Sequence, residues 1–279
     1  MSITSGEVYI VATPIGNLKD ITLRALDVFK TVDFVLAEDT RRARQLFEHF
    51  GIATMLRAFH DHNETQQVAT VVEQVSKGAN VALISDAGTP LISDPGYGLV
   101  KALRHQGINV YPVPGACAAI AALSVCGLPT DRFVFEGFLP SKQSARQTRL
   151  AQLEQEQRTL VFYEAPHRIL ASLGDMRSCF GDDRVAMLGR EMTKRFETYK
   201  VGPLIDLCQW VSDDSNQQKG ESVIVVSGSN VGEGDHQSDL RLMRALLEEL
   251  SVKKAVSVAA KVSRSSKNEL YKLALSLRQ

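Results

Sequence analysis

A loop crowded with carboxylates and hydroxyls follows a buried apolar run in the first third of the chain. It reads LISDAGTPLISDPG, repeats ISDxG over residues 84–88 and 92–96, and contains Asp86 and Asp94. Ligands bind beyond the carboxyl ends of strands in open α/β sheets, and glycines with prolines let backbone groups approach a ligand without much mobility. The loop is therefore a candidate ligand site. The alternative is two successive turns that join a strand to a helix.

Two further acids, Glu38 and Asp39, end another apolar run in the segment LAEDTRRARQLF. They are followed by Arg41 and Arg42, which open a helical pattern. At the carboxyl edge of a sheet these arginines could grip phosphates. The alternative is that the acids stabilise the dipole of the helix that follows, while the arginines are solvated. The pattern leaves both interpretations open.

A third apolar run, in VFYEAPHRIL, delivers Tyr163 and Glu164 to a loop, where a proline begins a helix that carries Arg168. Glu164 is a candidate base and Arg168 a candidate phosphate ligand. A salt bridge between the two is the alternative. The mixed charges of GREMTKRFE, residues 189–197, are expected to be solvated on a turn between strands.

Several common chemistries are disfavoured. The first strand-to-helix turn, IVATPIGNLKDIT, has neither GxGxxG nor GxxxxGK[ST], which argues against dinucleotide and P-loop sites. His60, His62 and Glu64 alternate in the manner of a metal site, but zinc would need a further ligand from elsewhere. We expect no metal, and interpret this segment as a polar active-site loop or a helix cap.

The elements that must carry these residues alternate between strands and helices. Helical patterns separate the first apolar runs, which predicts a mostly parallel sheet. These runs are residues 8–12, 34–37, 81–84 and 110–112. After a proline and glycine break at residues 112–119, a second set of strands and helices follows. Its strands lie close together near residues 190–201, which predicts some antiparallel pairing.

The end of the chain has a different character. Residues 226–239 are rich in Gly, Ser and Asp and predict a flexible linker. Three short amphipathic helices follow and resemble a helix-turn-helix, with Ser266 and Glu269 forming a capping box at the start of the last. The predicted fold class is α/β, with an N-terminal α/β domain over residues 1–114, a second over 115–230, and a basic helical domain over 236–279.

Charge and composition restrict the partners and the location. The 279 residues include 32 basic and 32 acidic side chains, but residues 239–279 hold nine Lys/Arg against four Asp/Glu, which hints at an anionic partner. No run of about 18 apolar residues is present to span a membrane, and the N-terminus lacks a signal-peptide pattern. Scattered cysteines predict free thiols in a reducing cytosol, and hence a cytoplasmic protein. They are Cys117, Cys126, Cys179 and Cys208.

With these motifs in order, the chain resembles the tetrapyrrole methylase superfamily of S-adenosylmethionine (SAM) enzymes. The resemblance covers nearly the whole chain and rests on VATPIGNLKDIT, LAEDTRRARQLF, HDHNE, LISDAGTPLISDPG, VPGACAAIAAL, FVFEGFLP, FYEAPHRI, GREMTK, KGESVIVV and SKNELYKLAL. Within the superfamily, ISDAGTPLISDPG together with FYEAPHR resembles the branch that methylates the ribose 2′-hydroxyl of a cytidine in 16S ribosomal RNA. The resemblance implies two α/β domains with SAM in the cleft between them, a homodimer, and a target in the decoding region of the small ribosomal subunit.

The resemblance also implies a set of cofactor-binding residues. Pro14 matches the superfamily's first loop, and Thr89 stands where its Gly-Asp-Pro loop has the aspartate. Whether Asp86 or Asp94 meets SAM stays open. The other SAM-binding residues that the resemblance implies are Ser85, Gly88, Pro90, Ile92, Ser93, Ala116, Cys117, Phe162, Tyr163, Leu188, Ser222 and Val223.

Transfer of a methyl group to a ribose hydroxyl needs a group that takes the proton, because this hydroxyl is a poor nucleophile at neutral pH. The candidate catalytic residues are Glu38, Asp39, Asp86 and Glu164. RNA phosphates are expected to meet Arg41, Arg42, Lys142 and Arg168. Of these, Lys142 lies in the segment LPSKQSARQTR, which has basic residues and no acidic ones.

Two other functions compete with RNA methylation. One is C-methylation of a porphyrinoid acid such as a precorrin, as elsewhere in the superfamily. The basic C-terminal helices and the LPSKQSARQTR segment argue against it, because a small substrate needs neither. The other is a noncatalytic RNA-binding assembly module, which would have no need to bind SAM.

Overall fold

The N-terminal part of the protein is a parallel sheet covered by helices on both faces. The computed structural model describes residues 5–229, 231–263 and 265–277, and of residues 231–238 the backbone alone. The elements are β1 (Val8–Val11), α1 (Leu23–Thr31), β2 (Phe34–Ala37), α2 (Thr40–His49), β3 (Met55–Ala58), α3 (Glu64–Ser76), β4 (Val81–Ile84), α4 (Tyr97–His105) and β5 (Val110–Val113). The strand order is β3-β2-β4-β1-β5. Each neighbouring pair is parallel, as the sequence predicts.

This strand order brings three polar loops to one edge of the sheet. β4 lies between β1 and β2, so the segments that follow these three strands are neighbours. All residues of β2 and β4 are buried, because helices cover both faces of a parallel sheet, and this explains their continuous apolar runs. The sheet therefore positions Glu38, Asp86 and the loop after β1 side by side.

One strand of this sheet was missing from the sequence prediction. β3 pairs with β2 at the edge of the sheet. Its side chains are half-buried or exposed, and Met55 is largely exposed. A partly exposed edge strand needs neither an apolar run nor strict alternation, so the hydrophobic pattern carries no mark of it.

The second domain is a mixed sheet. Its elements are α5 (Ala118–Val125), β6 (Phe133–Phe138), α6 (Gln143–Leu153), β7 (Thr159–Glu164), α7 (Ile169–Phe180), β8 (Val185–Arg190), β9 (Thr198–Pro203), α8 (Leu204–Asp213) and β10 (Ser222–Val226). The order is β6-β7-β10-β8-β9. β6 and β7 are parallel and the other pairs antiparallel, which confirms the predicted antiparallel pairing.

The two faces of the second sheet bury different sets of side chains. One face packs on helices α6, α7 and α8 through a core that includes Phe162 and Leu188. The other packs on α5 through a smaller core that includes Val161, Met187 and Val223. Successive residues of a strand point to opposite faces. Neighbours such as Phe162 and Tyr163 therefore belong to different sides of the sheet.

Three helices form the C-terminal unit: α9 (Val231–Glu249), α10 (Val252–Ala259) and α11 (Lys267–Ser276). Their core includes Met243, Ala255 and Leu270, and the predicted capping box of Ser266 and Glu269 is present. The predicted linker over residues 226–239 is wrong from residue 231 onward, because α9 begins there. Once a helix is nucleated, each added residue gains a hydrogen bond, so the amphipathic helix extends back through this polar stretch. The boundaries assigned to the three domains stay predictions.

Candidate active site

A cavity of about 500 Å³ lies between the two α/β domains. The first domain contributes the ends of its central strands and the loop after β4. The second contributes the end of β7, the start of β10 and the turn after β8. The polar and charged residues on the wall are Glu38, Arg42, Asp86, Thr89, Ser93, Asp94, Tyr163, Glu164, Glu191, Lys194, Glu221 and Ser222. Many of the residues that the sequence singles out in both domains thus meet at one place.

The loop after β4 is held in a defined shape by its neighbours. Thr13 and Gly88 exchange two backbone hydrogen bonds, of 2.9 and 3.0 Å, and the Thr89 hydroxyl donates to the carbonyl oxygen of Ala116 at 3.0 Å. Leu91 and Ser93 adopt left-handed backbone conformations, with φ of 72° and 67°. Such conformations are strained for residues other than glycine and concentrate at functional sites. The loop is thus more elaborate than a join between strand and helix requires.

Carboxylates crowd one wall of the cavity. Burial raises the pKa of Asp94 to about 6, and the nearby charges of Glu38 and Asp86 add to the rise. The pKa of Glu38 is raised as well, first by burial and then by the charges of Asp86 and Asp61. Like charges that share a poorly solvated site oppose each other's ionisation. A cationic ligand would relieve this repulsion.

Asp86 and Asp39, two of the candidate catalytic residues, occupy different environments. Asp86 accepts a hydrogen bond from the Asp39 backbone nitrogen at 2.9 Å and lies 3.1 Å from the Arg42 guanidinium. The Asp39 side chain instead caps α2 and binds Arg41 at 2.7 Å, and the Arg41 guanidinium holds the pKa of Asp39 well below its usual range. Asp39 is also absent from the cavity wall. The structure therefore favours the helix-cap interpretation of Asp39 over a catalytic one.

Glu164 and Arg168 form the salt bridge that was the alternative to a catalytic pair. Arg168 Nε lies 3.2 Å from Glu164 Oε1, and the same guanidinium donates to the carbonyl oxygens of Leu139 and Pro140. Glu164 also accepts hydrogen bonds from the Ser172 hydroxyl and the Ala165 backbone nitrogen, and its side chain is fully buried. These partners do not support Glu164 as a base or Arg168 as a phosphate ligand, because both side chains are already committed.

Tyr163 forms an aromatic wall of the cavity together with Phe138. The two rings meet edge to face, with centroids 5.6 Å apart. The Tyr163 hydroxyl accepts a hydrogen bond from the Ala119 backbone nitrogen at 3.1 Å, and burial raises its pKa. Beside this wall Ser222 is buried, and its Oγ has no hydrogen-bond partner among the described residues. A buried hydroxyl without a partner is costly, so a ligand atom is its natural complement.

The structure divides the proposed cofactor-binding residues into four groups. Those that line the cavity are Asp86, Gly88, Thr89, Ile92, Ser93, Asp94, Cys117, Tyr163, Ser222 and Val223. Pro14 and Ser85 line a smaller neighbouring cavity, whereas Pro90 and Ala116 lie on neither wall. Phe162 and Leu188 point their side chains into the core on the other face of the sheet, which leaves their main-chain atoms for any contact with a ligand.

The sequence predicts that the charges on the turn after β8 are solvated, and this prediction is wrong. Glu191, Met192 and Lys194 line the cavity. Lys194 Nζ lies 2.8 Å from Glu191 Oε1 and 3.0 Å from Glu221 Oε2, and these hydrogen bonds raise its pKa against the opposing effect of burial. The one sign in the sequence that this turn belongs to the site is that GREMTK is among the motifs that carry the family resemblance.

The predicted RNA-binding residues lie at separate places. Arg41 and Arg42 are exposed on α2 beside the cavity, and Lys142 is exposed at the start of α6. Two other basic residues of the Lys142 segment are neutralised: Arg146 binds Asp175 at 2.6 Å and Arg149 binds Glu136 at 2.6 Å. The C-terminal helices expose a larger set, namely Arg241, Arg244, Lys253, Lys254, Lys261, Lys267 and Lys272.

The segment with alternating histidines lies on the wall of neither cavity and is held by hydrogen bonds within the loop and to α4. Asn63 Oδ1 accepts a hydrogen bond from the His60 backbone nitrogen at 2.9 Å, and Glu64 Oε1 accepts one from the Leu99 nitrogen in the first turn of α4 at 3.2 Å. Within the described ranges, no group of three or more His, Cys, Asp or Glu could hold a metal ion. In the same part of the chain, no helix is long and apolar enough to cross a membrane.

The fold of the chain is that of known methyltransferases. The structure of CobJ, described as a methyltransferase, superposes with a TM-score of 0.60 at 19% identity, covering 81% of this chain and 95% of that one. The uroporphyrin-III-C-methyltransferase from Thermus thermophilus gives a TM-score of 0.56 at 22% identity, covering 80% and 94%. At these identities the likeness establishes the fold alone.

Family models and curated relatives identify the family. The model for tetrapyrrole (corrin/porphyrin) methylases matches residues 7–208, and the model for the RsmI C-terminal HTH domain matches residues 233–278. Proteins named ribosomal RNA small subunit methyltransferase I are 53% identical in Pseudomonas aeruginosa, over 98% of both chains, and 51% identical in Escherichia coli O157:H7, over 98% of this chain and 96% of that one. The chain therefore belongs to the tetrapyrrole methylase family and, within it, to the ribosomal RNA small subunit methyltransferase I group.

Proposed function

We propose that this protein is a SAM-dependent methyltransferase of small-subunit ribosomal RNA, and that it methylates the ribose 2′-hydroxyl of a cytidine in the decoding region. The observation that carries the proposal is the full-length identity to relatives named ribosomal RNA small subunit methyltransferase I. The cavity between the two α/β domains supports it, because it joins the loop after β4 to the aromatic wall of the second domain.

The cavity suits a ligand of the size and charge of SAM. Its volume of about 500 Å³ lies within the range of about 300–1,000 Å³ that is usual for small-molecule sites. Asp94 would hold the cationic part of SAM. Tyr163 and Phe138 would pack on the cofactor, and the unpartnered Ser222 hydroxyl would bind one of its polar atoms. When bound, SAM supplies a methyl group on a sulfonium for in-line displacement. The protein's own residues align the acceptor and take up its proton.

Glu38 is the best placed residue to accept the proton from the ribose hydroxyl. It lines the cavity, and burial among other acids raises its pKa, which brings a carboxylate closer to the basicity that proton transfer near neutral pH requires. Asp86 is bound to Arg42 and the Asp39 nitrogen and would position the acceptor nucleotide. We therefore assign Asp94 to the cofactor and Asp86 to the RNA.

Recognition of the RNA would rest on the basic surfaces. Phosphate contacts position a nucleic acid without reading its sequence. The exposed arginines of α2 lie beside the cavity, and exposed lysines cover the C-terminal helices. Because specific recognition of RNA relies largely on its shape and on exposed single-stranded nucleotides, the folded particle would present the target.

Two alternatives differ from this proposal in substrate or in chemistry. A porphyrinoid C-methyltransferase would share the fold but would have no use for the C-terminal domain that the family model matches over residues 233–278. A noncatalytic assembly module would bind RNA without methyl transfer.

We further propose a homodimer in the cytoplasm, and light scattering on the purified protein would test the dimer.

The decisive experiment incubates the protein with tritiated SAM and small ribosomal subunits from a strain that lacks this modification. We expect label in ribosomal RNA, released by nucleoside digestion as 2′-O-methylcytidine. Precorrin offered under the same conditions should stay unlabelled. Transfer to the base, or to precorrin alone, would contradict the proposal. Binding to small subunits without SAM binding in calorimetry and without any transfer would favour the noncatalytic module.

A further inference from the structure

A second cavity of about 220 Å³ adjoins the first. It is enclosed by the segment after β1, by the first turns of α2 and by the end of β4. Arg42 and Asp86 line both cavities, so their ion pair, at 3.1 Å, forms the wall that the two share. The volume is below that of usual small-molecule sites. It suits a fragment that projects from a ligand seated at the larger cavity.

The wall of the smaller cavity combines apolar surface with a few polar groups. Pro14 and Leu46 supply apolar atoms, Gln45 supplies an amide, and Thr13 supplies a hydroxyl. Thr13 is 3% exposed, and its Oγ1 has no hydrogen-bond partner within the described part of the chain. Buried hydroxyls are nearly always paired. An unpaired one on the wall of a cavity points to a missing ligand atom.

We propose that the smaller cavity takes the base of the target nucleotide, a pyrimidine, while the ribose lies at the Arg42–Asp86 wall. This inference rests on the proposed function and adds to it the site that reads the base. Proteins that recognise RNA sequence-specifically bind unstacked bases of single-stranded segments and hydrogen-bond the edges of those bases. The ribose hydroxyl and the base belong to one nucleotide, so adjoining cavities with a common wall are the arrangement they need.

The polar groups of the cavity complement the edge of a cytosine. Its amino group is a donor that carboxylates recognise, and Asp86, besides its contacts with Arg42 and the Asp39 nitrogen, lines the cavity with a side chain that is 26% exposed. The Gln45 amide can donate and accept, and the Thr13 hydroxyl can donate to a ring acceptor. Uracil presents an acceptor where cytosine presents its amino group, so the same wall would discriminate against it.

Two variants test this assignment without touching the residues assigned to SAM. Thr13→Val replaces the unpartnered hydroxyl by a methyl group of similar shape, so the fold should keep its stability. Gln45→Ala removes the amide from an exposed helix position. Gln66→Ala, on the exposed side of α3 and outside both cavities, is the matched control. SAM affinity by calorimetry and melting temperature are measured for each.

The readout is kcat/KM on small-subunit particles reconstituted with cytidine or with uridine at the nucleotide that the wild-type protein labels. We expect each of the two variants to lose about tenfold in kcat/KM on the cytidine particle, the value of one hydrogen bond, with SAM affinity unchanged. The preference for cytidine over uridine should fall as well, and Gln66→Ala should match the wild type.

Wild-type rates and preference in both variants would overturn the base assignment while leaving the proposed function intact. A wild-type protein that transfers no methyl group to the particle would overturn the proposed function, and the base assignment with it. A loss of SAM affinity in Thr13→Val would also overturn the assignment, because the smaller cavity would then belong to the cofactor.

Discussion

The side chain of Lys194, which lines the cavity between the two domains, lies directly against Gly16, which lines the smaller cavity. A Cβ atom placed on Gly16 would overlap Cγ of Lys194. The Lys194 ammonium is meanwhile anchored inside the second domain by Glu191 and Glu221. The approach of the two domains at this point therefore depends on the missing side chain of Gly16.

Gly16→Ala should weaken SAM binding without unfolding the protein. The added methyl group pushes the Lys194 stem away and opens the cleft, and overpacking of this kind corresponds to about a tenfold rise in the Kd of SAM. Calorimetric titration with SAM measures it. Gly174→Ala is the control, because it lies within α7 with open space around its Cα and alanine is the better helix former. Equal SAM affinity in the two variants would show that the Lys194 contact does not set the closure.

Asp94→Asn should stabilise the ligand-free protein near neutral pH. Folding raises the pKa of Asp94 from 3.8 to about 6, so the folded state holds a proton that the unfolded state has lost between these values. The stability of the wild type therefore falls as pH rises through this window. Above pH 6 the variant should be more stable, because its neutral amide is not opposed by burial and the neighbouring acids. Solvent screens part of the repulsion, so the gain should be on the order of 1 kcal/mol. Below pH 4 the difference should vanish.

Urea denaturation at pH 4 and pH 7.5 measures this effect, and Asp182→Asn provides the control. The Arg177 guanidinium lowers the pKa of Asp182 and the pair is exposed, so the amide variant should gain no stability at pH 7.5 and should change stability little at either pH. In the presence of SAM the Asp94→Asn variant should bind more weakly than the wild type. A neutral-pH destabilisation of Asp94→Asn would mean that the carboxylate is held by partners rather than opposed by its neighbours.

Glu38→Gln should slow methyl transfer and leave SAM affinity nearly unchanged. Removal of a positioned base costs about 100-fold or more in rate. Because burial and neighbouring acids raise the pKa of Glu38, wild-type kcat should climb with pH as this carboxylate ionises, whereas the residual rate of the variant should lack that step. Single-turnover transfer at a series of pH values measures both. A pH profile that the variant retains would assign the step to another group.

Sequence located the candidate site well where chemistry follows a strand. Glu38 and the loop after β4 end buried strands of a sheet that βα alternation predicts to be mostly parallel, so their position at the same edge could be predicted, although the order of the strands could not. The role of Glu164 could not, because the same charges at positions 164 and 168 serve either a salt bridge or a catalytic pair, and burial alone decides between them. Successive side chains of β7 point to opposite faces of the sheet. The sequence does not show which face lines the cavity, so it does not decide between Phe162 and Tyr163.

Long-range packing hid the remaining features from the sequence. Lys194 looks like any lysine on a charged turn until the fold brings it over Gly16. β3 gains its strand conformation from pairing with β2 rather than from its own pattern. The prediction of a linker over residues 231–239 is wrong because it relied on the Gly, Ser and Asp content of this segment. The amphipathic pattern that begins at residue 240 belongs to a helix that starts earlier, at residue 231.

Arg168→Ala should destabilise the fold rather than weaken RNA binding. It would strip the fully buried Glu164 of its guanidinium and leave the carbonyl oxygens of Leu139 and Pro140 without their donor. Breaking a buried pair from one side costs about 3–5 kcal/mol. Urea denaturation measures the loss, and Arg177→Ala, which breaks an exposed pair with Asp182, should change stability little. If Arg168→Ala keeps the wild-type stability but binds small subunits more weakly, Arg168 contacts RNA after all.

Neutralising the basic face of the C-terminal helices should weaken RNA binding in a salt-dependent way. Lys253, Lys254 and Lys261 are exposed on or just after α10, and each phosphate contact contributes about 0.7–0.9 to the slope of log affinity against log salt. The triple glutamine variant should therefore bind small subunits with a slope smaller by about 2, while its SAM affinity stays at the wild-type value. Lys30→Gln, exposed on α1 of the first domain, is the single-charge control and should leave the slope unchanged. If the triple variant keeps the wild-type slope, the C-terminal helices contact protein or serve the fold, and the phosphates must instead be held by the arginines of α2.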